Sequence, residues 1–296
     1  MGVLMFANLM RSELSRLRYR RRAWGSLILV MLAGLVLPSQ WMGSIREPTA
    51  AEVTLAKAEL VRVQLFNECA DCTLAQMQGW WSFERVVQEG IGASAIVLAF
   101  LAFMIVVTYV GADFSSGAMS TQLTFTPRRI VVLSARALAC GVLGAVLMLV
   151  GLVTATSVTI IGYLSVNGSD SIGAAPGLLN VMVGGAIYGF LIGVIAALVT
   201  FIIPSTPLAM AAAVVILVVT GLVDDASFTP LSKAALHMMP MRNGNAVILG
   251  EHVVERYNQV TDVTITRADG LVFHLVVILA LFALAAFLFE RRDIKG

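Results

Sequence analysis

The sequence predicts an all-α integral membrane protein with six transmembrane helices and both termini in the cytoplasm. The first observation behind this prediction is composition, since 58% of the 296 residues are hydrophobic and only 13% are charged. That balance leaves too little polar surface for a soluble domain of this length. Secondly, the apolar residues form long runs, and about 18 to 20 residues cross a hydrocarbon core of about 30 Å. Thirdly, charge is distributed unequally between the loops.

Residues 1–22 form the first predicted element, a cytoplasmic interfacial helix that lies on an anionic membrane surface. Five apolar residues give it one apolar helical face, and six arginines suit anionic headgroups. These residues are Leu4, Met5, Leu9, Leu14 and Leu17, and Arg11, Arg16, Arg18, Arg20, Arg21 and Arg22. A simple topogenic charge cluster is the alternative interpretation. A cleaved signal peptide is disfavoured because the charged region is too long and no small-residue cleavage site closely follows the apolar run.

Residues 23–296 are predicted to form a single six-helix transmembrane domain. The predicted spans are 24–41, 91–110, 131–163, 178–203, 208–223 and 271–289. The third run is longer than a bilayer requires, which indicates an interfacial start or a tilt. Six spans place both termini on the same side of the membrane.

Two long polar segments, 43–90 and 224–269, are the predicted outer loops. Helical character is expected at 50–66 and an amphipathic helix at 250–260. Three aromatic residues before the second span are expected at the outer interface, where amphipathic rings prefer to lie. They are Trp80, Trp81 and Phe83.

The charge distribution supports this orientation. With the termini inside, the inner segments hold 12 of the 20 Lys and Arg residues, whereas 14 of the 18 Asp and Glu residues lie outside. An excess of basic residues on the cytoplasmic side is the usual determinant of membrane topology.

No Asp, Glu, Lys or Arg lies in the middle of a predicted span, and His274 is expected to be interfacial at the outer end of the sixth. Ion and proton relays need ionisable groups inside the bilayer, so an ion-coupled transporter and a carboxylate-based intramembrane protease are disfavoured. None of the three lysines lies in a phosphate-binding loop. A separate ATPase polypeptide would therefore have to supply energy, and the chain itself is predicted to be non-catalytic.

The polar stretch 111–136 between the second and third runs is the predicted point of contact with such a partner. Asp113 is expected to cap a short helix that runs to Leu123, and Thr126 is expected to cap the next helix, with Pro127 in its first turn. Met119, Leu123 and Phe125 would face the membrane or the partner. Arg128 and Arg129 then stand at a helix N-terminus, where the macrodipole disfavours each cation by about 0.3–1 kcal/mol. Anionic lipid or acidic groups of a docked protein would have to offset that cost.

The same stretch carries a recognisable pattern. It reads Gly-Ala-Asp-Phe-Ser-Ser-Gly-Ala-Met from position 111, followed by Leu123, Pro127-Arg128-Arg129 and Arg136. This resembles the signature of ABC-2 type transporter permeases, especially actinobacterial ones, and the closing Phe-Glu-Arg-Arg-Asp-Ile at 289–294 is also similar to that family. Three positions depart from the signature: Asp113 replaces Glu, Ala118 replaces Thr and Arg136 replaces Lys. The charged positions keep their charge.

The resemblance implies an ABC exporter permease of the bacterial plasma membrane. Such a subunit pairs with a second permease copy or homologue and with two cytoplasmic ABC ATP-binding subunits. The ATP-binding subunits hold ATP and Mg²⁺, so no cofactor is expected in this chain. Nucleic acid is not an expected partner. The N-terminal segment would be an elbow helix, and 228–260 would form helices in the outer leaflet. The ATPase-coupling residues would be Asp113, Phe114, Gly117, Met119, Leu123, Pro127, Arg128 and Arg129.

Gly185, Gly189 and Gly193 recur every four residues in the fourth run and therefore lie on one helical face. Such a stripe allows two helix backbones to approach closely. Packing within one bundle is the favoured interpretation, and a dimer contact is the alternative.

Cys69 and Cys72 form a Cys-x-x-Cys pair in the first outer loop. An oxidising compartment favours a disulfide, while a free or intermolecular pair and a metal site are the alternatives. His237, Glu251, His252 and Glu255 in the second loop match no metal-ligand spacing, so solvated loop residues are expected there.

The predicted function is the permease subunit of an ATP-driven exporter for an amphipathic or hydrophobic substrate, such as a drug, a peptide antibiotic or a lipid-like molecule. A membrane scaffold or sensor that binds a ligand through its large outer loop is the alternative. Association with an ATPase subunit distinguishes the two hypotheses.

Overall fold

The structure is a computed structural model that describes residues 2–66, 74–77, 82–168, 176–225, 237–254 and 263–291. Five helical segments in these ranges are long and apolar enough to cross a membrane: Arg21–Met42, Phe83–Ser115, Arg129–Asn167, Gly177–Ile202 and Arg267–Arg291. A shorter apolar helix, Thr206–Val218, lies where the fifth span is predicted. The described residues therefore agree with a helical multi-pass membrane protein.

The described residues form twelve α-helices. They are α1 (Gly2–Tyr19), α2 (Arg21–Val36), α3 (Ser39–Met42), α4 (Ala50–Leu65), α5 (Phe83–Arg85), α6 (Gly92–Ser115), α7 (Ala118–Phe125), α8 (Arg129–Asn167), α9 (Pro176–Ile202), α10 (Thr206–Asp225), α11 (Pro240–Leu249) and α12 (Arg267–Arg291). A 3-10 turn at Leu74–Met77 and a π-helical turn at Val86–Ile91 complete the helical structure of the described ranges. The π-helical turn joins α5 to α6 without a break.

The centre of the bundle is the pair α8 and α9, with α2 and α6 packed against them. Glycines at their contact bring the two backbones together. A Cβ atom at Gly144 would meet the carbonyl oxygen of Gly189, and one at Gly193 would meet that of Cys140. Gly185 faces only the flexible ends of Leu152 and Met148. The glycine stripe of α9 thus lies against α8 of the same chain.

The bundle has one end, here called the basal end, at which α1, the start of α8 and the last turn of α12 lie. Glu13 of α1 pairs with Arg136 near the start of α8. Arg129, the first residue of the same helix, donates to the carbonyl oxygen of Phe289 in the last turn of α12. Helix α7 lies at this end as well, because its Gln122 side chain donates to Glu13.

Helix α4, predicted at 50–66, is present at Ala50–Leu65. Thr49 and Glu52 form a capping box, in which the Thr49 side chain accepts from the Glu52 N–H and the Glu52 carboxylate accepts from the Thr49 N–H. Arg46 pairs with the same carboxylate at 2.5 Å. Reciprocal satisfaction of free N–H groups is how such boxes start a helix.

We expect Glu52 to titrate well below an ordinary glutamate. The hydrogen bond from Arg46, followed by those from Thr49, lowers the pKa of Glu52 from 4.5 to about 2. Because the folded pKa is the lower one, the carboxylate supports the first turn fully above pH 4.5 and loses this role as the pH falls through about 2. The carboxyl carbon chemical shift of Glu52, followed during an acid titration, measures this; a midpoint near 4.5 would contradict it.

Phe83 does not lie at an interface as expected. Its side chain is buried and meets Tyr163 of α8 edge to face, with ring centroids 5.3 Å apart. The chain turns into the bundle at Ser82, which caps α5, so the ring points toward α8. Trp80 and Trp81 lie outside the described residues.

The distal end, opposite to the basal end, contains the one sheet of the described residues, a two-stranded addition to a fold that is otherwise helical as predicted. Strands β1 (Glu251–Val254) and β2 (Val263–Thr266) pair antiparallel, with Glu251 opposite Thr266. The amphipathic helix expected at 250–260 is wrong at its start because Gly250, with φ of 104°, ends α11 and turns the chain into β1. Arg267 donates to the carbonyl oxygen of Val247 at 2.9 Å and thereby holds α11 against α12.

His274 is a packed residue of the bundle rather than an interfacial one. It is buried, its Nδ1 lies 2.7 Å from the carbonyl oxygen of Gly270, and its ring meets Tyr188 of α9 edge to face. His274 lies two turns after the start of α12, where that helix packs against α9, and this packing buries the side chain.

Candidate functional site at the basal end

Two carboxylates and three guanidinium groups are gathered where α1, α6, α7 and α8 meet. At the centre is Arg136, whose side chain is 1% exposed, between the equally buried carboxylates of Glu13 and Asp113. Arg136 Nε lies 2.8 Å from Glu13 Oε2, an ion pair without the geometry of a linear hydrogen bond. Its Nη1 contacts Asp113 Oδ2. We call Glu13, Arg16, Arg20, Asp113, Gln122 and Arg136 the charge cluster.

The outer members of the cluster provide the remaining ion pairs and hydrogen bonds of the two carboxylates. Arg20 Nη2 lies 2.5 Å from Asp113 Oδ1, and Arg16 Nη2 lies 3.6 Å from Asp113 Oδ2. Gln122 accepts from Arg136 Nη2 at 2.6 Å and donates to Glu13 Oε1 at 2.7 Å. Arg16 and Arg20 are 29% and 27% exposed, so they cover the side of the cluster that is open to solvent.

Burial makes this cluster a structural junction. Removing charged groups from water costs several kcal/mol for each ion, which only close and well-satisfied partners repay. Because each buried acid has partners on different helices, α1, α6, α7 and α8 must keep their relative positions to satisfy it. A displacement of α7 therefore changes contacts of Glu13 and Arg136 directly, through Gln122.

The chain between α6 and α7 corrects the prediction made for Asp113. Asp113 does not cap a short helix, because α6 continues through it to Ser115 and Asp113 turns inward to Arg136. Gly117 ends the helix with φ of 71°, a left-handed conformation that glycine adopts without strain, and α7 begins at Ala118. A helical break is thus present as expected, four residues later.

The start of α8 also differs from the expectation. Neither Thr126 nor Pro127 begins this helix; Arg128 is its N-cap and makes no capping hydrogen bond with its side chain. Arg129 donates to the carbonyl oxygens of Phe289 and Glu290, at 2.7 and 3.3 Å. Those carbonyls are the negative end of the α12 dipole, so they offset the cost of a cation at the positive end of α8.

The exposed surface beside the cluster lies on α7 and the segment that follows it. Phe125 is 83% exposed, an unusual degree for a large aromatic side chain. A cleft of about 480 Å³ separates α7 from α1, lined by Leu9, Ser12, Glu13, Arg16, Ala118, Thr121, Gln122, Phe125 and Thr126. Pro127 and Arg128 are exposed next to it. This surface offers an aromatic side chain, a cation and a concave wall to a partner.

The predicted coupling residues divide between this surface and the interior. Asp113 and Met119 are buried, Phe114 packs edge to face on Phe201, and Leu123 is half-buried. Gly117 forms the break before α7. Pro127 and Arg128 are exposed, whereas Arg129 is tied to α12.

Sequence reasoning missed Glu13, Gln122 and the central position of Arg136. One signal was available, since Glu13 is the only acidic residue among six arginines in the first 22 residues. Positions 13, 16, 17 and 20 also share one face of a helix. That pattern indicates an acid with its partners on the inward face.

The remaining predicted residues lie elsewhere. Arg18, Arg21 and Arg22 are exposed, unlike Arg16 and Arg20. Cys69 and Cys72 lie outside the described residues, as does Glu255. Within the described part of the chain, no three His, Cys, Asp or Glu side chains are gathered in a way that could hold a metal ion.

Long apolar helices around a buried charge cluster, with a short helix and the exposed Phe125 beside it, define a multi-pass membrane protein. Comparison with protein families identifies it further. A family model described as ABC-2 family transporter protein matches residues 7–294. The chain belongs to this family and is an ABC-2 type permease, the membrane component of an ABC transporter; the family implies association with an ABC ATPase subunit. A comparison with curated proteins found no significant match.

Proposed function

We propose that this protein is the permease subunit of an ATP-driven exporter, and that its ATPase subunit docks on α7 and the adjacent wall of α1. The observation that carries the proposal is Phe125, exposed beside a cleft whose opposite wall reaches the buried cluster. ATP and Mg²⁺ would be bound by the partner, and α1 would serve as an elbow helix. A force on α7 would reach α8 through Gln122 and Arg136.

The basal end faces the cytoplasm in this proposal. The basic residues of α1 and of the α7–α8 segment support that orientation, since Lys and Arg are enriched on the cytoplasmic side of membranes. The domain organisation follows: an interfacial helix at 1–22, a six-helix transmembrane domain at 23–296 with the coupling segment 111–136, and outer loops at 43–90 and 224–269. A bacterial plasma membrane and a second permease copy complete the assembly.

The substrate proposed is amphipathic or hydrophobic. A cavity of about 310 Å³ between α6, α9, α10, α11 and α12 supports this, because apolar side chains such as Phe100, Phe103 and Ile192 form most of its wall. Tyr188 and His274 add two polar groups to it. Cavities of this composition suit ligands with a large apolar surface and few hydrogen-bonding groups.

The test compares two exposed apolar side chains. Phe125→Asp should reduce the ABC ATPase that co-purifies with the permease from native membranes about 30-fold, because loss of an aromatic anchor at the centre of an interface costs about 2 kcal/mol or more. Leu65→Asp is the matched control, since Leu65 is 77% exposed at the end of α4. Mass spectrometry of the eluate and its ATP hydrolysis rate are the measurements.

Two outcomes would overturn the proposal. One is the absence of any ABC ATPase from the wild-type eluate. The other is equal recovery of the ATPase with Phe125→Asp and with wild type, which would place the docking surface elsewhere. Arg128→Glu serves as a second variant, and its predicted effect has the same direction because Arg128 is exposed beside Phe125.

A further inference from the structure

A second cavity opens on the side of the bundle near the basal end, and the charge cluster does not include it. This lateral pocket has a volume of about 420 Å³ and lies between α2, α6, α8 and α10. Its lining comprises Arg22, Ala23, Gly25, Ser26, Leu29, Leu101, Met104, Ile105, Thr108, Tyr109, Leu143 and Met210. Ala23, Tyr109 and Leu143 are buried at its floor, whereas Arg22, Gly25, Leu29 and Thr108 are exposed at its rim.

The lateral pocket changes from polar to apolar along the helix axes. Arg22, Ser26, Thr108 and Tyr109 provide its polar groups, near the basal ends of α2 and α6. Seven residues separate Arg22 from Leu29, and eight separate Tyr109 from Leu101, which correspond to about 10–12 Å at 1.5 Å per residue. That depth is less than half of the hydrocarbon core of about 30 Å. The pocket therefore belongs to one leaflet.

Arg22 provides the charge at the rim. Unlike Arg16 and Arg20, it forms no ion pair with any residue that the structure describes. The hydroxyls of Ser26 and Thr108 donate to carbonyl oxygens of their own helices, at 2.8 and 2.6 Å. The guanidinium group of Arg22 is consequently the charged donor available to an occupant of this pocket.

Tyr109 provides an unsatisfied hydroxyl in the wall. Its side chain is 4% exposed, and its hydroxyl has no hydrogen-bond partner within the described ranges. The guanidinium carbon of Arg20 lies 4.7 Å from the centre of the Tyr109 ring. A buried donor without an acceptor costs about 1–3 kcal/mol, a cost that an acceptor oxygen from an occupant would remove.

We propose that the lateral pocket binds one anionic glycerophospholipid of the basal leaflet. Its phosphate lies against Arg22, with an oxygen toward the Tyr109 hydroxyl, and one acyl chain follows Leu29, Leu101 and Leu143 into the bundle. Charge complementarity selects an anionic headgroup over a zwitterionic one, and the apolar depth selects a lipid over a free anion. Since Arg20 contacts both the Tyr109 ring and Asp113, the bound lipid is one side chain away from the charge cluster.

Two matched pairs of variants test this assignment. Arg22→Gln removes the charge at the rim, and Arg21→Gln removes an equally exposed charge that does not line the pocket. Gly25→Leu fills the pocket, and Gly43→Leu is its control. A Cβ atom would meet nothing within 4 Å at either glycine, so neither leucine is forced against the fold by its Cβ.

The probe is a phosphatidylglycerol, compared with a phosphatidylcholine that has the same acyl chains and with inorganic phosphate. Native mass spectrometry of the detergent-solubilised full chain counts the bound lipids during a titration. We expect one phosphatidylglycerol to bind wild type about ten-fold more tightly than phosphatidylcholine, because the choline cation of the zwitterion opposes the attraction between its phosphate and Arg22. Arg22→Gln and Gly25→Leu should each weaken that binding about ten-fold, and the two controls should not.

Several results would overturn the assignment. Equal binding of the two lipids, or an equal loss with Arg21→Gln and Arg22→Gln, would indicate attraction to the basic surface alone. Competition by millimolar inorganic phosphate that removes the lipid would indicate a free-anion site. Unchanged binding to Gly25→Leu would place the lipid outside the pocket. The lipid site is independent of ATPase docking, so none of these results bears on the proposed role of Phe125.

Discussion

Arg136→Met is expected to destabilise the protein by about 3 kcal/mol, because it leaves Glu13 and Asp113 buried without their central partner. Arg16 and Arg20 remain, but they lie on the more exposed side of the two carboxylates and do not reach between them. Heating the detergent-solubilised protein and measuring the monodisperse fraction by size-exclusion chromatography gives the apparent Tm. The expected decrease is roughly 5–10 °C.

A triple variant separates the loss of the ion pairs from the loss of packing. Glu13→Gln and Asp113→Asn, added to Arg136→Met, remove the uncompensated charges and should restore a large part of the Tm, since replacing a whole buried ion pair is far less costly than breaking it. Arg128→Met is the control for an exposed arginine near the start of the same helix. A triple variant less stable than Arg136→Met would contradict this account of the cluster.

We also expect a large loss of stability from Gly144→Ala and from Gly193→Ala. Each new methyl group meets a backbone carbonyl oxygen of the facing helix, at Gly189 and Cys140 respectively. Backbone cannot move aside as a side chain can, so α8 and α9 must separate, at a cost of about 1–3 kcal/mol. The apparent Tm and the yield of monodisperse protein measure the effect.

Gly185→Ala is the matched control on the same face of α9. Its methyl group meets only the terminal carbon atoms of Leu152 and Met148, which can rotate away. We expect its Tm to stay within a few degrees of wild type. Equal losses at Gly185 and Gly193 would show that helix propensity, rather than contact between backbones, sets the cost.

The sequence predicts the helices of the bundle well, because long apolar runs have few alternatives in a membrane. The run predicted at 178–203 corresponds to α9, Pro176–Ile202. The strands are harder to predict from the sequence. Polar and apolar residues alternate over Val263–Thr266 as they do in a strand, but the short apolar pattern after Gly250 fits a helix equally well. The pairing that decides between them is with residues 9 to 15 positions away.

The charge cluster depends on contacts that no local pattern contains. Glu13 and Arg136 are separated by 123 positions, and Asp113 has the same residue type and setting that a helix cap would have. Only the inward rotation of the last turns of α6 distinguishes these roles. Phe125 is one of three apolar residues predicted to face the membrane or a partner; it is exposed, whereas Met119 of the same set is buried.

The length of α8 gives the cluster a mechanical consequence. At 39 residues, this helix is a rod of about 58 Å, and Arg136 lies about 10 Å from its basal tip. The cluster therefore lies near one end of α8, and about 48 Å of the helix extends beyond Arg136 toward the distal tip. A tilt of about 5° around Arg136 would displace the distal tip by about 4 Å, so a change confined to the side chains of the cluster would be magnified at the far end of α8.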